Sequence, residues 1–338
     1  MKKLVLFTLT LCWCFIPNKA QTWNLVWSDE FNYTGLPDAT KWGYEVGFIR
    51  NNELQYYTYG RLENAKVENG KLLIIGRKET YQTANYTSAS ITTDGKFSWT
   101  YGKIEAMMKL PKGKGMWPAF WMLGQDIHKI GWPKSGEIDI MEHINSDDLI
   151  YGTMHWDNNG HASYGGNTTG DVAQYHLYSI EWTPDAIKWF LDGNKYWEGN
   201  IKDSINNTEE FHKPFYIILN LAMGGSWPGN PDGTTTFPDT VSVDYVRVYQ
   251  DVSSTHNTGQ LNTIRICPNP VKNILTIDMP QMQKACYMSI CNLNGQEILW
   301  QEITNRNTQI AVNYLPRGVY ILRFSNELIF ETQKIIVQ

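Results

Sequence analysis

Between residues 21 and 266 there is no cysteine. Whatever folds there does so without disulfides. Cys12 and Cys14 sit at the extreme N-terminus, and only Cys267, Cys286 and Cys291 remain near the other end, so at most one bridge can form. Basic runs are missing too. With 29 Lys and Arg against 34 Asp and Glu the formal charge is −5, which argues against nucleic acid or an anionic membrane as the main partner. Long apolar runs are absent apart from residues 4–17, a stretch too short to span a bilayer. Long segments of helical period are equally scarce, which excludes a helical bundle.

What is present is aromatic. Twelve of the 14 Trp lie from Trp23 to Trp227, and an indole suits both core filling and stacking on the apolar face of a sugar ring. The N-terminus, Lys2 and Lys3 followed by the apolar run and the small Ala20, reads as an export signal cut after residue 20. Over 21–250 the pattern is short β-runs between turn residues: KLLIIGRK (71–78), YGKIEAMMKLP (101–111), YSIEWT (178–183), YIILNLAM (216–223) and VSVDYVRVYQ (241–250). Asp192-Gly193 between two aromatic runs signals a hairpin. An all-β domain of two packed antiparallel sheets follows. Residues 251–263, polar and without period, form a linker, and 264–338 hold a second set of short strands, enough for a small C-terminal β-sandwich.

The stretch GEIDIMEHI (136–144) places three carboxylates among large apolar residues. Side chains alternate along a strand, so Glu137 and Asp139 share a face and Glu142 falls on the other one. One extra residue in a β-bulge, with Met141 as the candidate, would restore Glu142 to their side. Two carboxyl groups on one face suffice to cleave a glycosidic bond: one protonates the leaving oxygen while the other attacks the anomeric carbon or activates water. Asp139 between them would raise the pKa of a neighbouring carboxyl and keep one acid protonated. The alternatives are a solvated strand face or a metal site, yet three acids on an apolar strand are costly to hold together without a use.

GEIDIMEHI resembles the signature of glycoside hydrolase family 16, and WSDEFN (27–32), NNELQYYT (51–58), YTSASITTDGKFSWTYGKIEAMMKLP (86–111), GMWPAFWMLG (115–124), YSIEWTPDAIKWFLDG (178–193) and GGSWPG (224–229) match it in order. The resemblance implies a concanavalin A-like β-jelly roll with a sugar cleft on its concave face. It makes Glu137 the nucleophile, Asp139 its assistant and Glu142 the general acid/base of a retaining hydrolase that needs no cofactor for catalysis. The extra residue Met141 looks like the laminarinase branch, which cuts internal β-1,3-glucosidic bonds. Mixed-linkage β-1,3-1,4-glucanases and agar- or galactan-cutting enzymes also carry it, and a glucan-binding jelly roll without activity is the non-enzymatic alternative.

Trp117 and Trp121, four apart, share a strand face and suit successive stacking platforms, while Trp227 among turn residues reads as a cleft rim. His155 shares a face with Tyr151 and Thr153, and the family places a His beside the acid/base. Asn52 and Arg77 match family positions that hydrogen-bond sugar hydroxyls, with Glu53 left on the rim. The resemblance also implies a structural Ca²⁺ held by Glu30, Asp244 and the carbonyl of Gly70. At the C-terminus PNPVKNILTI, NLNGQ, LPRGVYILRF and QKIIVQ resemble the type A sorting domain of type IX secretion. That implies the secretion machinery as partner and a released or outer-membrane-attached protein, expected to act as a monomer on β-glucan. A carbohydrate-binding module is the other reading of this segment, though Trp300 is its one indole.

Overall fold

A computed structural model describes residues 23–251 and 264–338, apart from 281, 283, 284, 293–296 and 326–329. The expected signal segment, the linker and most of NLNGQ lie outside the described residues. The chain divides into two compact units that part after Ser254.

The first unit is a sandwich of two sheets. One has seven strands in the order His161–Thr169, Leu149–Asp157, Glu137–Glu142, Met116–Gly124, Phe215–Met223, Ser90–Thr92 and Gly43–Glu45, with every neighbouring pair antiparallel. The other has ten, built around Asp239–Asp251 with Gly102–Lys109 on one side and Lys71–Tyr81 on the other. Alternate residues of both sheets meet in one core. Phe120, Met122, Ile138, Met154, Ile217 and Leu219 come from the first, and Leu72, Ile74, Ile104, Ile180, Val243 and Val246 from the second.

The two sheets pack closely where Lys71–Tyr81 carries Gly76. A Cβ there would stand 3.0 Å from Leu221 Cδ2 and 3.2 Å from Met223 Sδ, so a larger residue would push the layers apart. The Asp192-Gly193 hairpin forms between Ala186–Leu191 and Asn194–Asn200. Both turn residues have positive φ, 50° and 76°, as a type I′ turn requires. Among the described residues helix is confined to one α-turn, Ile127–Ile130, and two 3₁₀ segments; no helix is long and apolar enough to cross a membrane.

The second unit pairs a three-stranded sheet (Arg265–Cys267, Ile274–Asp278, Asn307–Ala311) with a four-stranded one (Glu297–Ile303, Cys286–Cys291, Gly318–Ser325, Phe330–Val337). It has its own core, including Leu275, Ile277, Met288, Ile290, Leu322 and Ile335. Exposed Cys267 and buried Cys291 are free thiols.

Candidate active site

The parity problem in GEIDIMEHI is solved by a bulge. Against Met116–Gly124, Asp139 pairs with Trp121 and Met141 with Phe120, so Ile140 has no partner of its own. Against Leu149–Asp157, three steps from Asp139 to Glu142 match two from Thr153 to Tyr151. Ile140 and Met141, consecutive in sequence, therefore both face the core and are 2% and 0% exposed. Glu142 returns to the side of Glu137 and Asp139. The extra residue was expected at Met141; the register spreads the bulge over Ile140 and Met141.

This face of the seven-stranded sheet floors a cleft of about 740 Å³. Alternation supplies its lining, with the bulge adding Glu142: Trp117, Ala119, Trp121 and Leu123 from one strand, Glu137, Asp139 and Glu142 from the next, Thr153 and His155 from the third, and Tyr216, Asn220 and Ala222 from the fourth. Each acid has an identified neighbour. Trp132 donates its Nε1–H to Glu137 Oε2 at 2.8 Å, Trp117 donates to Glu142 Oε1 at 2.9 Å, and His155 Nε2 stands 3.1 Å from Asp139 Oδ2. One ligating atom each from Glu137, Asp139 and His155 lies within 4.8 Å of the others.

The electrostatics follow from burial and crowding. Burial and the nearby Asp139 push the Glu137 carboxyl up to about 8, against the pull of His155, the Trp132 hydrogen bond and Arg50. Asp139 is pushed up by burial. Glu142 is pushed up by burial and then by the charge of Asp139, and the Trp117 N–H opposes the rise. Three acids this close cannot all ionise at neutral pH. The cluster holds protons as a unit, which lets one carboxyl donate while another stays charged.

Of the aromatic residues expected at the cleft, Trp117 and Trp227 pack edge to face at 5.5 Å and line it. Trp121 lines it as floor. It is 6% exposed, its Nε1–H is held by Asn220 Oδ1 at 2.7 Å, and the Arg50 guanidinium lies 4.8 Å from its ring centroid. A sugar above Trp121 would meet Arg50 first. Glu53 is no loose rim group: it is buried and accepts hydrogen bonds from Asn51, Gln55 and Tyr57. Tyr57 in turn accepts one from Asn220, so one network fixes the floor.

Two expected sugar contacts lie off the cleft. Arg77 is on Lys71–Tyr81 of the other sheet, paired with Thr87 and 3.5 Å from Glu79 Oε1; Arg50 supplies the cleft's guanidinium instead. Asn52, at φ 54°, turns toward Ser226 Oγ at 3.4 Å, and its neighbour Asn51 lines the cleft. The two carboxylates expected to hold calcium are each engaged in an ion pair. Glu30 is held in a two-pronged ion pair by Arg247 at 2.9 and 2.8 Å, and Asp244 is paired with Lys71 at 2.7 Å, so each carboxylate already faces a positive charge.

Sequence reasoning missed Arg50, Trp132, His161 and Asn220. Arg50 stands one place before the quoted NNELQYYT and Trp132 in a loop without period, so neither had a spacing to betray it. Asn220 was legible in principle, as the one polar residue in an otherwise apolar strand, Phe215–Met223.

The comparisons agree with this geometry. Residues 52–247 match the family model "Glycosyl hydrolases family 16", and residues 265–338 match "Secretion system C-terminal sorting domain". A beta-glucanase of Rhodothermus marinus is 45% identical over 250 residues, covering 69% of this chain and 87% of that one. The clotting factor G alpha subunit of Tachypleus tridentatus is 43% identical over 244 residues, 70% of this chain; the chain spans only 35% of that longer protein. The solved catalytic domain of an endo-1,3-beta-glucanase (laminarinase) from Thermotoga petrophila RKU-1 superposes with a TM-score of 0.64 at 44% identity, covering 69% of this chain and all of that one. With the acids on the cleft face of a β-sandwich and matches of this extent, the chain belongs to glycosyl hydrolase family 16 and carries a C-terminal sorting domain for export.

Proposed function

We propose that the protein is an exported endo-β-1,3-glucanase that cuts internal bonds of laminarin-type glucans by double displacement, acting as a single chain. One observation carries the reading: the bulge at Ile140–Met141 sets Glu137, Asp139 and Glu142 side by side in a Trp-lined cleft. Glu137 attacks the anomeric carbon while Glu142 gives its proton to the departing oxygen. Glu142, now charged, takes a proton from the water that releases the glycosyl-enzyme, and Glu137 leaves. Asp139, between them, shares its proton with Glu137 in the resting cluster and offsets charge as it moves from one Glu to the other. Hydrolases of this family need no catalytic cofactor. The relatives named beta-glucanase and endo-1,3-beta-glucanase support the choice of linkage. The sorting domain takes the chain to the cell surface or the medium.

The test is incubation with laminarin, barley β-glucan and agarose, with product anomers followed by NMR. Laminarin should be cut fastest, releasing β-anomers first. Preference for barley glucan or agarose would replace the linkage assigned here, and α-anomers would overturn the double displacement.

A further inference from the structure

His161 has no role in the reading above, yet it touches both residues that hold the acids. Its Nε2 lies 2.9 Å from His155 Nδ1, the two imidazoles are nearly parallel at 19° with centroids 5.1 Å apart, and its ring packs 4.5 Å from the Trp132 ring. The far side of each partner meets a carboxylate: Trp132 Nε1–H donates to Glu137, and His155 Nε2 stands 3.1 Å from Asp139 Oδ2, a buried oxygen with no hydrogen bond in the resting arrangement. The backbone fixes this meeting. His161 opens the strand His161–Thr169 opposite Asp157 in the Leu149–Asp157 hairpin, with Asn159 and Gly160 in the turn at φ 58° and 131°, so it stands on the same face as His155, one pair along.

The hydrogen-bond inventory decides what His161 does. A neutral imidazole has one N–H and one bare nitrogen. If His155 is to donate from Nε2 to Asp139, its Nδ1 is bare and needs a donor, and the group within reach is His161 Nε2–H. We propose that His161 is a positioning residue for hydrolysis: it fixes His155 in the Nε2–H tautomer against Asp139 and braces Trp132 against Glu137, so that one side chain orients the partners of both acids. Setting the tautomer through the second ring nitrogen is how partners of a functional His commonly act. Burial lowers the His161 pKa, which favours the neutral ring this pairing requires. The proposal rests on the hydrolytic reading for its effect on rate, but not for its effect on the His155 ring.

Three variants separate the contributions. His161→Phe keeps a ring against Trp132 and removes the N–H, His161→Gln restores an N–H donor, and His161→Ala removes both. On laminarin, kcat should fall roughly 10- to 100-fold in the Phe and Ala variants and recover in part in Gln, with KM changed less than about 3-fold. Long-range ¹H–¹⁵N spectra should show His155 as the Nε2–H tautomer in wild type and as a mixture in His161→Phe. A His161→Phe enzyme with wild-type kcat, or a loss confined to KM, would overturn the positioning role. An unchanged His155 tautomer in that variant would overturn it even in a preparation that cuts no glucan, whereas failure of wild type on all three polymers with the tautomer shift intact would count against the proposed function alone.

Discussion

At the scale of single residues, the raised carboxyl groups turn function into a cost in stability. Glu137 titrates near 8 in the fold and near 4.3 in an unfolded chain. Between those values the unfolded chain loses its proton while the folded one keeps it, so stability falls as pH rises through this window and levels off above it. Glu137→Gln removes the titration. Its melting temperature should equal that of wild type near pH 4 and exceed it increasingly up to pH 8, by about 2–4 °C for each kcal/mol recovered. A constant difference across the range would mean that burial does not hold this acid neutral. The same carboxylate is needed for attack, so the variant should be inert at every pH.

The two indole donors make an opposed pair at this scale. Trp132 N–H lowers Glu137 and Trp117 N–H lowers Glu142, and replacement by Phe keeps a ring while removing each donor. Trp132→Phe should move the acidic limb of the kcat/KM profile to higher pH, because the nucleophile then ionises later. Trp117→Phe should move the alkaline limb to higher pH, because the acid then keeps its proton longer. Shifts of about 0.5–1 unit are in keeping with one charge-assisted hydrogen bond. Movement of the same limb in both variants would exchange or merge the assigned roles.

At the scale of elements, the bulge does the work that alternation cannot. Much of the sandwich was legible: the five quoted β-runs and the Asp-Gly hairpin all form, since period-two patterning and turn chemistry are local properties of sequence. The bulge was legible too, because GEIDIMEHI breaks parity. Arg77 and Arg50 mark the limit. Which arginine reaches the cleft depends on how the strand Lys71–Tyr81 and the 46–54 loop are placed by distant partners, and no spacing within either segment encodes that. Deleting Met141 tests the element directly. Without Met141 the run reads Glu-Ile-Asp-Ile-Glu, in which strict alternation keeps Glu142 on the side of Glu137 and Asp139, so hydrolysis should persist in the deletion variant. Inserting one further apolar residue after Met141, with the bulge kept, would instead turn Glu142 into the core, and activity should fall at least about 10³-fold with a loss of several kcal/mol. Met141→Ala leaves the backbone count intact; it should cost about 2–5 kcal/mol as a cavity and keep hydrolysis per folded molecule. Activity surviving the insertion would dissociate Glu142 from the mechanism.

At the scale of the whole molecule, each of the two units has a core of its own. The cleft draws all its residues from the first unit, and the buried cluster from Ile264 to Val337 belongs to the second. Each unit has a buried apolar cluster of its own among the described residues, so each should unfold on its own account. Removing residues 264–338 should therefore leave the calorimetric transition of the first unit within a degree or two of its position in the full chain. Laminarin kcat/KM of the purified fragment should stay within about twofold, since no residue assigned to binding or chemistry is lost. In a type IX-competent host the same truncation should strand the enzyme behind the outer membrane, measurable as activity retained in the periplasm and absent from the medium. The two readouts bear on different claims. Export without the tail would leave the sorting role without support, while loss of catalysis in a folded fragment would mean that the second unit takes part in binding glucan, as a carbohydrate-binding module would, despite having Trp300 as its one indole.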